Sequence, residues 1–163
     1  MYGYQISVTI TLVFFFLLVI LNLRDYAPPS RMSPVRLNER LYVLIPARNE
    51  AANIADCLDG LLTQNFADFH LIVLDDASDD GTDAIVREKA QTDSRLRLIC
   101  GKPIEAGWAG KVWACKQLGE AAISEGADWL LFLDADTRAK PDLVGALLAH
   151  AQQTDAAMVS TYP

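Results

Sequence analysis

The chain has 163 residues, 52% hydrophobic and 21% charged, with a formal net charge of −7 at pH 7. That length supports one domain with a real core and is short for two of ordinary size. The acidic balance leaves no basic patch to neutralise a phosphate backbone, which excludes a nucleic acid partner and means that binding a diphosphate would require a metal ion as intermediary.

Residues 4–23 carry no charge and are long enough, at 1.5 Å rise per residue, to span a hydrocarbon core of about 30 Å. No Lys or Arg precedes the run, unlike a secretory signal peptide. Arg24, Arg31, Arg36 and Arg40 all follow it, so the positive-inside rule places the rest of the chain in the cytoplasm. The expectation is a single amino-terminal transmembrane anchor over 1–24. A linker over 25–40 follows, because the three prolines and two serines of residues 27–34 cannot extend a helix.

From residue 41 strands and helices alternate. Residues 41–45 read as a short strand broken by Pro46, and 50–62 as a helix with Ile54, Leu58 and Leu61 on one face. Strand 69–74 ends in Asp75-Asp76, helix 82–89 follows, and 96–100 offers a third strand. After the Gly-rich turn at 107–110 comes a helix over 112–123, then the apolar strand 129–133. Pro141 suits a first helical position, residues 143–148 give a helical face, and 156–160 is a candidate fifth strand. This alternation predicts an α/β fold, with a mainly parallel, Rossmann-like sheet covered by helices.

Ligands of an open parallel sheet bind outside the carboxyl ends of its strands. Three polar clusters fall there: Pro46-Ala47-Arg48-Asn49-Glu50, Asp75-Asp76-Ala77-Ser78 and Asp134-Ala135-Asp136. Asp134 and Asp136 supply two hard oxygen ligands, suited to Mg²⁺ or Mn²⁺ with positions left open for phosphate oxygens. They share a face if the backbone stays extended across Ala135.

Other motifs fail on spacing. Asp76-x-Ser78-x-Asp80-Gly81 opens like a calcium loop, but Arg87 stands where the bidentate Glu belongs. Arg138 occupies the place of the Thr that phosphatases with a nucleophilic Asp require. Gly107-x-x-Gly110-Lys111 is too short for a P-loop, and no Gly-x-Gly-x-x-Gly follows the first strand. Cys57, Cys100 and Cys115 are odd in number without a Cys-x-x-Cys pair, which suggests neither a disulfide framework nor a zinc site. His70 and His150 stand alone and read as structural or surface residues. A non-catalytic nucleotide- or metal-binding module stays open beside an enzyme.

Residues 44–50, 74–82 and 132–136, in this order and strand context, resemble the amino-terminal half of a family 2 glycosyltransferase with the GT-A fold, over nearly all of 41–163. The string from Gly107 to Ala114 is similar to a motif of the membrane-associated branch linked to hopanoid and carotenoid pathways. The resemblance implies transfer of a sugar from a nucleotide-diphosphate donor, in the first place a UDP-sugar, to a lipid or other hydroxyl acceptor. It implies that Pro46, Ala47, Arg48 and Glu50 border the nucleotide, that Asp76 accepts a hydrogen bond from uracil, and that Lys111 faces the diphosphate. Asp134 would contact ribose or the metal shell, and Asp136 the cation directly. Trp108 and Trp113 would line a sugar or acceptor pocket, or else be buried aromatics. The family's catalytic base comes from its second half, after the point where this chain stops, so the 163 residues are expected to hold the donor half.

Overall fold

The computed structural model describes residues 2–25 and 38–160, with the side chains of the first segment described over 5–21. The chain divides into two compact units, Met1–Ser30 and Arg31–Pro163.

The described residues of the first unit form one helix, α1 (Tyr2–Asp25). Its large apolar side chains from Ile6 to Leu21 are exposed all around the helix. Among the described residues no helix is long and apolar enough to cross a membrane. The transmembrane span expected over 1–24 is therefore not found among the described residues, which show an apolar helix there. Most of the expected linker, residues 26–37, lies outside the described residues.

The second unit alternates β1 (Leu41–Ala47), α2 (Ile54–Leu62), β2 (His70–Asp75), α3 (Thr82–Thr92), β3 (Leu96–Cys100), α4 (Gly110–Ser124), β4 (Trp129–Phe132) and α5 (Leu143–Thr154). The four strands form one parallel sheet in the order β3-β2-β1-β4. The strand order therefore reverses between β1 and β4, which is where a wound sheet opens a crevice at its carboxyl edge.

Side-chain alternation sorts β1 and β2 between two cores. Val43, Ile45, Leu71 and Val73 face α2, α3 and α5 with Ile54, Leu58, Leu61, Val86, Val144 and Leu148. Tyr42, Leu44, Ile72 and Leu74 face α4 with Ala114, Leu118 and Ala122. Leu44, Leu58, Leu74 and Leu118 are fully buried, each such side chain contributing about 1.5–3 kcal/mol. With helices on both faces, the strands of the sheet's centre read as continuous apolar runs.

Three local expectations change. Pro46 does not break β1, which runs on to Ala47. Leu44 O accepts from Leu133 N on the β4 side, whereas Ala47 O accepts from Asp76 N on the β2 side. By alternation the missing N–H of Pro46 faces the side that β4, ending at Phe132, has already left, so no ladder bond is lost. Helix α2 starts at Ile54 rather than residue 50, because Asn49 adopts φ 56° and the Glu50 and Ala51 amides donate to side chains of another loop. The candidate strand 156–160 is irregular: Asp155 ends α5 in a left-handed conformation, and Met158 is 86% exposed with no core to cover it.

Candidate functional site

Pro46, Ala47, Arg48, Glu50, Asp76, Lys111, Asp134 and Asp136 all line one cleft of about 310 Å³, together with Gly110, Ala114 and Ala135. The cleft lies at the carboxyl ends of β1 and β4, the reversal point of the sheet, and α4 contributes its first turn as a wall. Its size falls at the lower end of small-ligand sites.

The first wall comes from the loops after β1 and β2. Asp76, half-buried, leaves β2 with its amide bonded to Ala47 O at 2.8 Å. Arg48 Nη1 stands 3.6 Å from Asp76 Oδ2, and Glu50 Oε2 accepts from Asn53 Nδ2 at 3.0 Å. Gly101 makes room for this carboxylate: a Cβ there would meet Leu74 Cδ2 at 3.1 Å, Asp75 O at 3.2 Å and Asp76 Oδ1 at 3.3 Å. Asp75 itself points away from the cleft lining. Its Oδ2 accepts from Ser78 N at 3.3 Å, while its buried Oδ1 has no hydrogen-bond partner among the described residues.

The second wall is the turn after β4. Thr137 N donates to Asp134 O at 3.0 Å, so the backbone turns at Ala135 instead of staying extended. Both carboxylates reach the same cleft nonetheless, because Ala135 is the residue that turns into the core at 3% exposure, leaving its neighbours outside. Cys57 Sγ lies under the turn, 3.7 Å from Asp134 O, and burial pushes its thiol up to about 11.

Lys111, in the first turn of α4, bridges the cleft. Its Nζ bonds Asp134 Oδ1 at 2.7 Å, and this hydrogen bond holds the ammonium above the usual lysine range. The Asp136 carboxylate has no hydrogen-bond or ion-pair partner among the described residues, and only its main-chain oxygen accepts, from Arg138 Nη1 at 3.3 Å. Four carboxylates and two bases give the cleft wall a formal charge of −2.

Among the described residues no group of three or more His, Cys, Asp or Glu side chains is gathered as a metal centre. Asp134 and Asp136, two residues apart, both line the cleft. Two hard oxygen donors facing an open cleft fit Mg²⁺ or Mn²⁺, ions that retain positions for water and phosphate oxygens. Neither tryptophan lines the cleft. Trp113 is buried with its indole N–H on Lys102 O, and Trp108 packs on it with ring centroids 5.5 Å apart. His70 stacks on Tyr42 at the amino end of the sheet, away from the cleft.

Sequence reasoning missed the residues that join the two rim loops. Asn49 N donates to Ser78 Oγ (2.9 Å), Glu50 N to Thr82 Oγ1 (2.8 Å) and Ala51 N to Asp80 Oδ2 (2.9 Å), while Asp79 N returns a bond to Asn49 Oδ1 (3.0 Å). The signal was present: Ser78, Asp80 and Thr82 alternate, and short polar side chains in a loop characteristically cap main-chain amides.

Residues 42–162 match the model of the Glycosyl transferase family 2. Among curated relatives, the 4,4'-diaponeurosporenoate glycosyltransferase of Staphylococcus haemolyticus is 29% identical over 77% of this chain and 32% of its own length. The polyprenol monophosphomannose synthase of Mycolicibacterium smegmatis is 30% identical over 77% of this chain and 46% of its own. The chain thus spans less than half the length of these relatives. Among solved structures, S. aureus TarS 1-349 aligns with TM-score 0.55 at 25% identity, covering 70% of this chain and 32% of that one. The mannosyltransferase PcManGT from Pyrobaculum calidifontis, in complex with GDP-Man and Mn²⁺, aligns with TM-score 0.59 at 22% identity, covering 90% and 43%.

Proposed function

The chain belongs to glycosyl transferase family 2, and from that premise we propose that its cleft binds the diphosphate donor, in the first place a UDP-sugar, for transfer to a lipid or other hydroxyl acceptor. The observation that carries this is the meeting of three separate loops, with Glu50, Asp76, Lys111 and Asp136, in one cleft of charge −2 at the reversal point of the sheet. Solved proteins of like fold hold GDP-Man with Mn²⁺ or UDP-GlcNAc, which supports a nucleotide-sugar donor.

Charge dictates how the site would work. A diphosphate brings further negative charge to an already negative wall, so its binding requires a cation. Asp136, with Asp134 beside it, would hold Mg²⁺ or Mn²⁺, and such an ion stabilises the negative charge on the departing phosphate oxygens. Lys111 adds a positive charge on the opposite wall. Asp76, whose amide is fixed by Ala47 O and whose carboxylate has room beside Gly101, would present an acceptor to the base ring, and Pro46-Ala47 would lie against the nucleoside. The acceptor hydroxyl also needs a base. The four acids of the cleft are assigned to the donor, and that role falls to the portion of the family's length that this chain does not span.

The reading includes membrane association on the cytoplasmic side. The apolar surface of α1 from Ile6 to Leu21 has no use in water, and Arg24, Arg31, Arg36 and Arg40 follow it. Flotation with liposomes tests this: the chain should float, and a chain lacking residues 1–24 should not. Calorimetry tests the donor site. UDP should bind with Mn²⁺ present and not without it, and Asp136→Ala should abolish the difference; equal binding with and without the metal contradicts the assignment.

A further inference from the structure

We propose that Asp80 and Thr82 are positioning residues that hold the nucleotide wall in its binding geometry, with Asn49 and Ser78 completing the same clip. The inference deepens the donor-site reading and rests on it for the ligand. The clip itself is a feature of the protein alone.

Successive main-chain amides of the β1 loop, at Asn49, Glu50 and Ala51, all donate to side-chain oxygens of the β2 loop. Thr82, buried at 0% exposure, links the set: its Oγ1 accepts from Glu50 N and donates to Asp80 Oδ1 at 2.6 Å. Asp80 spends its second oxygen on Ala51 N and receives Thr82 N at 3.0 Å on the first. These bonds hold the Asp80 carboxyl below the usual carboxylate range, the Thr82 hydroxyl contributing most. None of Asn49, Ser78, Asp80 and Thr82 lines the cleft, yet the residues they bracket, Arg48, Glu50 and Asp76, do.

Two further facts separate this from ordinary loop structure. Asn49 and Ala77, neither of them glycine, both sit at φ 56°, one on each side of the clip and each next to a cleft residue. Left-handed backbone at such residues persists where the surroundings over-determine it. Moreover, the amides used are those that precede α2, a place where wound sheets commonly offer free N–H groups to a phosphate. Here protein oxygens fill them, so the amides of Asn49, Glu50 and Ala51 serve alignment and are not offered to a phosphate.

The test uses the full chain with Thr82→Val, which keeps the shape and removes the hydroxyl, and Thr82→Ser, which restores it. Hydrogen exchange without ligand should show the Glu50 and Ala51 amides losing protection by at least about tenfold in Thr82→Val and keeping it in Thr82→Ser. The Val43 and Val73 amides should stay unchanged in both. UDP affinity with Mn²⁺ should fall about tenfold in Thr82→Val and stay within about twofold in Thr82→Ser, a loss of roughly 1.4 kcal/mol in the first case. Unchanged exchange at Glu50 and Ala51, unchanged UDP affinity in Thr82→Val, or loss of protection at Val43 and Val73 as well would overturn the positioning role. Absence of UDP binding by the natural chain would sink the donor assignment instead, with the exchange data still deciding whether the clip exists.

Discussion

Replacing Lys111 by Gln should move metal binding and nucleotide binding in opposite directions. In the structure the Lys111 ammonium occupies Asp134 Oδ1 at 2.7 Å, on the carboxylate next to the proposed cation ligand. A divalent cation that uses Asp134 must displace that ammonium. The two side chains are 65% and 60% exposed, so solvent screening reduces the pair to about 0.2–1 kcal/mol, or about 1.4- to 5-fold in an equilibrium constant. Mn²⁺ alone should therefore bind Lys111→Gln tighter by about that factor, read from free Mn²⁺ in paramagnetic resonance titrations at low salt. UDP in saturating Mn²⁺ should bind the same variant more weakly, because the diphosphate loses a facing cation. Salt near 1 M, where the Debye length falls to about 3 Å, should erase most of the first effect. Mn²⁺ affinity that is unchanged or weaker in Lys111→Gln refutes the competition, and both affinities falling together would mean that the lysine holds the cleft open.

Other consequences follow from single contacts. Gly101→Ala places a Cβ 3.1–3.3 Å from Leu74, Asp75 and Asp76, so urea unfolding should show a loss of about 1–3 kcal/mol together with weaker UDP binding; a variant as stable as the natural chain contradicts the packing. The buried Cys57 thiol stays neutral up to about pH 11, whereas in the unfolded chain it ionises near its ordinary value of 9.0. The folded pKa is the higher one, so this contribution is complete below pH 9 and is lost as pH rises toward 11, at a slope on the order of 1.4 kcal/mol per pH unit. Cys57→Ala should lack that part of the alkaline loss, and equal slopes would exclude it. Exposed Cys100 should react with a thiol reagent before Cys115, and Cys57 only on unfolding.

The sequence showed the sheet and the rim because both rest on short-range rules. Apolar runs such as 71–74 and 41–45 mark strands buried on two faces, and Asp76 follows the end of β2 directly while Asp134 comes two residues after the end of β4. The strand order could not be read, since it depends on which face α4 covers, and that is decided by Ala114, Leu118 and Ala122 meeting Leu44 and Leu74. Pro46 misled because its cost depends on where β4 ends, a fact about a strand more than eighty residues away. The start of α2 was hidden for a similar reason: amides that a local rule assigns to a helix are taken by Ser78, Thr82 and Asp80. The segment 156–160 has strand-like composition but Met158 finds nothing to pack on, and composition alone supplies no partner. At Asp134-Ala135-Asp136 both carboxylates face one cleft through a turned backbone, since burial of Ala135 does in a turn what extension was expected to do.

The most direct test of the account is a crystal structure of the chain grown with UDP and Mn²⁺, with the metal located by its anomalous scattering. The account predicts a Mn²⁺ peak within coordinating distance of Asp136, bridged to the diphosphate, and the uracil ring against Asp76. A peak elsewhere, or a UDP bound away from the loops after β1, β2 and β4, would contradict it.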